Sequence, residues 1–360
     1  REHRLYQSDW LMRFYAYSPH EVVAAADDAT GMLPLDIDPK LAWALKFRES
    51  FPVDVNRAPR EMLLRVPGLG VKAVNSILAS RRWRRLRLND VARLTVSVAK
   101  VRPFIVAEMS GNHNQSLERA LEIVEAAAQA GAHAIKIQTY TPDTMTIDLD
   151  EREFHIGDPG SLWAGESLYN LYKKAYTPWG WHAPIFARAR ELGIIPFSSP
   201  FDETAITFLE ELEAPCYKIA SFENTDIPLI RRAAATGKPL IISTGMATLA
   251  ELEETVQEAR KAGCRDLILL KCTSTYPAEV SNTNLLTIPD MRERFGCEVG
   301  VSDHTMGIGV SVAGVALGAM VVEKHFTLSR ADGGVDSTFS MEPAEMSQLV
   351  VETKRAWQAL

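Results

Sequence analysis

The chain has 360 residues, 46% hydrophobic and 24% charged, an ordinary globular composition that excludes a disordered or low-complexity protein. Its length allows two domains, or one barrel with an appendage, and its short, interrupted apolar runs exclude a membrane-spanning helix. The net charge of −7 is unevenly divided: residues 1–100 hold 17 Lys and Arg against 11 Asp and Glu, whereas residues 101–360 hold 22 against 35. That change of sign predicts two parts with different partners.

The opening residues, Arg1 to Arg4, are polar with no apolar run behind them, so a cytoplasmic location is expected. The start at Arg1 instead of Met reads as a fragment. Cys216, Cys264, Cys272 and Cys297 sit singly, the pattern of reduced thiols in a cytoplasmic protein.

Residues 1–50 read as helical or irregular, with aromatics at Tyr6, Trp10, Phe14 and Tyr15. Over 58–82 the pattern sharpens. Pro59 marks a helix start, Met62, Leu63, Leu64 and Val66 follow, and Pro67-Gly68-Leu69-Gly70 breaks the run. Val71, Val74, Ile77 and Leu78 then return at helical spacing. A helix-hairpin-helix at 58–82, within a small all-α module over 1–97, is predicted. Such hairpins aim backbone N–H groups at a DNA phosphate, which calls for Gly68 and Gly70. Behind it Arg81, Arg82, Arg84, Arg85 and Arg87, with Trp83 interleaved, place five arginines in seven residues. That is the footprint of a nucleic-acid surface, with a solvated domain face as the plain alternative.

After residue 101, apolar strands alternate with amphipathic helices. Strands are predicted at 103–107, 132–137, 194–198, 216–220, 239–243, 267–271, 298–302 and 320–325. Helices are predicted at 117–130, 181–192, 205–212, 227–235 and 249–262. Eight such alternations over about 250 residues predict an α/β fold, a (β/α)8 TIM barrel over 101–360. A doubly wound open sheet does not account for the polar residue at each strand end: Glu108, Gln138, Ser199, Ser221, Thr244, Thr273, Asp303 and Thr327. Barrel enzymes carry their chemistry on that C-terminal face. Residues 141–178 are too long for a simple connection and are expected to lie over the mouth.

Lys136 and Lys218 interrupt otherwise apolar strands, and hydroxyls follow at Ser221, Ser243, Ser274 and Ser302. Two lysines and several hydroxyls converging on one mouth make an anion site, with phosphate the expected occupant. A solvated strand end is the bland reading of each lysine. His304 and His325 end adjacent strands and are candidate ligands of one divalent ion, which water, substrate or a carboxylate must complete. A structural hydrogen-bonding role is the alternative.

Residues 101–360 resemble the catalytic barrel of the sialic acid synthase superfamily, and within it the pseudaminic acid synthase branch. The resemblance rests on Leu168-Tyr169-Asn170-Leu171-Tyr172, Ala175-Tyr176-Thr177-Pro178-Trp179, Pro200-Phe201-Asp202-Glu203-Thr204, Ser221-Phe222-Glu223-Asn224-Thr225-Asp226 and Asp332-Gly333-Gly334-Val335-Asp336-Ser337. It implies condensation of phosphoenolpyruvate with an open-chain 2,4-diacetamido-2,4,6-trideoxy hexose, releasing phosphate. N-acetylneuraminate or legionaminate synthesis is the neighbouring alternative, and a DNA-binding protein with a passenger barrel is the alternative from another class. By the resemblance Lys136, Ser199, Lys218, Ser221, Ser243, Ser274 and Ser302 hold phosphoenolpyruvate, and His304 and His325 bind Mn2+ or Mg2+. Glu108 engages the sugar, Tyr276 contacts it, and Asp336 is an acid near the metal. Ser274 stands where sialic acid relatives carry Asn, and Gly180 where a charged residue is expected. The resemblance also implies a homodimer in which a small antifreeze-like domain covers the partner's mouth. The sequence ends at Leu360 before such a domain, so donor and ion binding with weak or no turnover and doubtful dimerisation is expected. Residues 1–95 resemble the C-terminal tail of a DNA modification or repair radical SAM family, notably in Arg1-Glu2-His3-Arg4-Leu5-Tyr6 and the run from Phe51 to Arg60. The cysteine triad of that family does not occur there.

Overall fold

The computed structural model describes residues 2–26, 31–34, 38–51, 53–82, 85–86 and 102–359. The chain divides into two compact units, Arg1–Val101 and Arg102–Leu360. No helix among the described residues is long and apolar enough to cross a membrane.

The first unit is helical, with Glu2–Tyr15, Pro19–Ala24, Pro39–Lys46, Arg60–Arg65 and Val71–Ser80 as its α-helices among the described residues. Ser18 and Asp38 cap the second and third by accepting from backbone N–H groups of the first turn. The last two helices form the hairpin, closed by a turn in which Gly68 has φ +86°, a conformation that favours glycine. Leu63, Leu64, Leu69, Val74 and Ile77 pack between them. Arg65 is buried and grips Glu21 at 2.7 Å together with the carbonyls of Tyr15 and Ala16, tying the hairpin to the preceding helices. Lys40 reinforces this by donating to Leu69 O at 2.6 Å.

The second unit is a closed barrel of eight parallel strands in sequence order. They are β1 (Phe104–Glu108), β2 (Ala134–Thr139), β3 (Ile195–Pro200), β4 (Tyr217–Ile219), β5 (Leu240–Ser243), β6 (Leu267–Cys272), β7 (Glu298–Ser302) and β8 (Val321–His325). The expected TIM barrel is the fold observed, and the strands lie within two residues of their predicted positions at most ends.

Alternation along the strands sorts side chains into two layers. One set faces the helices, where Ile105, Ile135, Ile219, Ile242, Leu269, Val299 and Val322 pack against Ile123, Ile185, Leu209 and Ile230. The other fills the lumen, with Val106, Ala134, Phe197, Ile241, Leu270 and Val321 at its base. Gly300 is required there, because a Cβ would strike Val321 O and come within 2.7 Å of Leu270. One step further along, the lumen series turns polar at Glu108, Lys136, Lys218, Ser302 and Glu323. The lysines that interrupt apolar strands are thus lumen residues.

Residues 141–178 are more than a loop. They contain the helices Pro142–Met145 and Leu168–Ala175, the latter capped by Ser167 accepting from Asn170 N. Trp163 in this segment donates to Val335 O at 2.8 Å, fastening it to the β8 loop.

Candidate active site

Lys136 on β2 and Lys218 on β4 are almost wholly buried, which an ammonium tolerates only when paired. Lys136 lies 2.9 Å from Glu108 Oε2 and 3.5 Å from Glu323 Oε2, and Lys218 lies 3.4 Å from Glu323 Oε1. Glu108 lies on the neighbouring β1, whereas the contacts to Glu323 run from β2 and β4 to β8. Ser302 Oγ donates to Glu323 at 2.9 Å, Lys136 donates to Ser199 at 3.4 Å, and Gln138 donates to Glu108 at 3.2 Å.

The charges follow from this arrangement. Burial alone would raise the Glu323 carboxyl, but the two lysines and Ser302 outweigh it and hold the group ionised. Burial raises Glu108 and, against it, Lys136 pulls down. Lys136 is held above its ordinary value because Glu108 and Glu323 overcome its burial, whereas burial pulls Lys218 below. An anion arriving beside Lys218 would reverse that penalty.

Around the lysines stand hydroxyls. Those of Ser221 and Ser243 are buried with no hydrogen-bond partner among the described residues, a state that costs free energy unless a ligand or water relieves it. A Cβ on Gly245 would collide with Ser274 Oγ and lie 2.8 Å from Ser221 Oγ, so glycine keeps this cradle open. Lys136, Ser199, Lys218, Ser221, Ser243, Ser274 and Ser302 all sit on strands or strand ends of this one mouth.

His304 and His325 face each other with ring centroids 5.3 Å apart. Tyr276 packs on His304 at 4.7 Å and Phe339 on His325 at 4.9 Å. His304 Nδ1 donates to Thr273 O at 3.0 Å, which leaves Nε2 for another partner. His325 is kept neutral by burial and by His304, and its Nδ1 is buried without a hydrogen-bond partner among the described residues. Asp336 Oδ2 lies 4.0 Å from that nitrogen and accepts from Ser110 Oγ. Two imidazoles with available nitrogens, next to a carboxylate, fit a divalent ion that other ligands complete. No closed set of three or more His, Cys, Asp and Glu ligands exists among the described residues.

Two carboxylates here escaped the sequence reading. Glu323 ties both lysines together, and the signal was present: it interrupts an apolar strand two residues before His325, as the lysines interrupt theirs. Glu223 follows β4, and burial pushes it up to about 7 against the pull of Lys218. Beside the mouth an open cleft of about 580 Å3 runs along the 141–178 segment, lined by Trp163, Leu171, Lys174 and Val335.

The profile of the NeuB family matches residues 123–360. The chain belongs to the NeuB family. It is 46% identical over 257 residues to pseudaminic acid synthase of Campylobacter jejuni subsp. jejuni serotype O:2, covering 71% of this chain and 74% of that one. With pseudaminic acid synthase of Helicobacter pylori the identity is 45% over 258 residues, covering 72% and 75%. The crystal structure of N-acetylneuraminic acid synthetase from Leptospira borgpetersenii, in complex with citrate, superposes with a TM-score of 0.66 at 32% identity. That match covers 72% of this chain and 86% of the other. The matched NeuB residues lie in the barrel unit.

In the first unit, Gly68 and Gly70 form the hairpin turn and the start of the helix that follows. Arg81 Nη1 donates to Val55 O at 3.1 Å and Ala58 O at 2.7 Å, so part of its guanidinium is spent within the fold. Arg82 and Arg85 are exposed. Trp83, Arg84 and Arg87 lie outside the described residues.

Proposed function

We propose that the barrel condenses phosphoenolpyruvate with an open-chain 2,4-diacetamido-2,4,6-trideoxy hexose to give pseudaminic acid and inorganic phosphate. The carrying observation is the pair of buried lysines that share Glu323 in the lumen beside unpartnered hydroxyls. The identity to pseudaminic acid synthases supports the choice of sugar.

Lys136 and Lys218 take the charge of the donor, with Ser199, Ser221, Ser243, Ser274 and Ser302 supplying hydrogen bonds. Glu108, at the end of β1, engages the sugar, and Tyr276 forms a wall against it. A divalent ion held by His304 and His325, with Asp336 nearby, polarises the aldehyde oxygen when bound. Mn2+ suits two imidazoles better than Mg2+, which prefers oxygen ligands and retained water. The enol carbon of the donor forms the new bond to the aldehyde carbon. Water adds at the carbon bearing the phosphate, and the resulting intermediate expels phosphate. The chain's own contribution is alignment and a fixed electrostatic field, which together supply most of such a rate.

The direct test is phosphate release from phosphoenolpyruvate with each acetamido sugar in turn and Mn2+. Turnover with the 2,4-diacetamido sugar above N-acetylmannosamine supports the reading. Preference for N-acetylmannosamine moves it to the neuraminate branch.

A second reading concerns the first unit alone: a contact to the DNA backbone through the Gly68–Gly70 hairpin with Arg82 and Arg85. The exposed arginines beside a glycine hairpin favour it. A gel shift of the full chain at two salt concentrations tests it, since phosphate contacts weaken steeply with salt.

A further inference from the structure

We propose that Asp303 and Lys324 form an ionic clamp behind the barrel wall that positions His304 and His325 toward one another. The inference rests on the ion-binding reading of those histidines and adds two positioning residues that touch neither ion nor substrate.

On β8 the side chains of Glu323 and His325 face the lumen, so Lys324 between them points the other way. Asp303 follows β7 and precedes His304, and it too turns away from the mouth. Lys324 Nζ lies 3.2 Å from Asp303 Oδ2, and both side chains are sealed from solvent. Both carboxylate oxygens of Asp303 are engaged. Thr305 donates to Oδ1 from its backbone N–H at 2.9 Å and its hydroxyl at 2.7 Å, and Ser311 donates to Oδ2 at 2.6 Å. Ser311 belongs to the helix Gly309–Ala316, which packs outside the barrel. Lys324 completes the knot by donating to Thr305 O at 2.5 Å.

The residues on both sides of His304 are therefore held by one buried cation, and that cation stands next to His325 in the chain. The backbone frame closes around the same points. Asp303 N donates to Glu323 O at 3.0 Å, Ala278 N to His304 O at 3.0 Å, and Met341 N to His325 O at 2.8 Å. A buried ion pair is seldom the most stabilising filling of such a site, and apolar side chains of like volume often serve as well. What the pair adds here is direction: the ion pair and the Lys324–Thr305 hydrogen bond tie the turn 303–305 to β8, Thr305 closes the turn on Asp303, and Ser311 ties it to the outer helix, which together set the two imidazoles.

The test compares the full chain with Lys324→Met, with the apolar double variant Asp303→Leu/Lys324→Met, and with the milder Thr305→Val, which keeps both charges. His304→Ala is the control. Mn2+ alone is titrated by electron paramagnetic resonance, and thermal unfolding of each metal-free protein is recorded. The expected result is Mn2+ binding at least ten-fold weaker in whichever of the first two variants folds, with a smaller loss in Thr305→Val. Phosphoenolpyruvate binding without metal should stay within two-fold. Should neither charge variant fold, unchanged Mn2+ binding by Thr305→Val would overturn the clamp. Mn2+ affinity within two-fold of the parent in a folded charge variant, with His304→Ala unable to bind, would overturn the clamp alone. Equal binding by His304→Ala and the parent would overturn the ion-binding reading and the clamp with it.

Discussion

Lys218 enters the lumen from β4 and is held below its ordinary value by burial, so an incoming phosphate is its natural partner. Replacing it with Met should weaken phosphoenolpyruvate binding by about 1.5–3 kcal/mol, roughly ten- to a hundred-fold. Sugar saturation should change far less, and calorimetry of the donor beside sugar KM separates the two. An unchanged donor affinity would remove Lys218 from the site. His304→Ala and His325→Ala should each abolish metal-dependent turnover while the barrel still folds, as checked by circular dichroism. Their aromatic neighbours Tyr276 and Phe339 can close over the lost ring, whereas an ion cannot replace a lost ligand. Turnover at the parental rate in both variants would end the metal assignment.

At the scale of elements, two buried imidazoles pin the segment that borders the mouth. His113 meets Thr177 Oγ1 at 3.3 Å, and His182 meets Thr139 Oγ1 at 2.8 Å and Pro178 O at 3.3 Å. Burial lowers both from the ordinary 6.5 to about 4. The unfolded chain therefore takes up these protons first. Their contribution is fully present above pH 6.5 and drains away as the pH falls to about 4, by up to ~3 kcal/mol for each histidine. Urea unfolding at pH 7 and pH 4.5 measures this, and the His113→Asn/His182→Asn variant should show a shallower pH dependence. Parallel curves would assign the acid sensitivity elsewhere. The alternation of strand and helix made the barrel legible, because each strand is a short apolar run bounded by polar ends. How residues 141–178 lie against the barrel was not legible, since it depends on contacts such as Trp163 to Val335 that join residues far apart in sequence. Glu323 was overlooked for a related reason: its role exists only once β8 closes on β1 and brings it opposite two lysines.

For the whole molecule, the division of charge at residue 101 matches two units of different architecture, a basic helical one and an acidic barrel. Any DNA binding should map to residues 58–87 and fall steeply with salt, because arginine contacts displace counterions. A gel shift with Arg82→Ala/Arg85→Ala checks it, and unchanged binding by that variant would point away from the hairpin. The lysines stand out in the sequence because a charge inside an apolar strand must find a partner, and the lumen supplies Glu108 and Glu323. An arginine cluster carries no mark in the sequence of which members turn inward to backbone carbonyls, as Arg81 does. For the barrel, the decisive measurement is phosphate released from phosphoenolpyruvate in the presence of Mn2+ and the 2,4-diacetamido-2,4,6-trideoxy hexose. Release that requires both sugar and metal, exceeds that with N-acetylmannosamine and disappears in Glu108→Gln is the predicted result. Release that proceeds equally without sugar, or survives unchanged in Glu108→Gln, would contradict it.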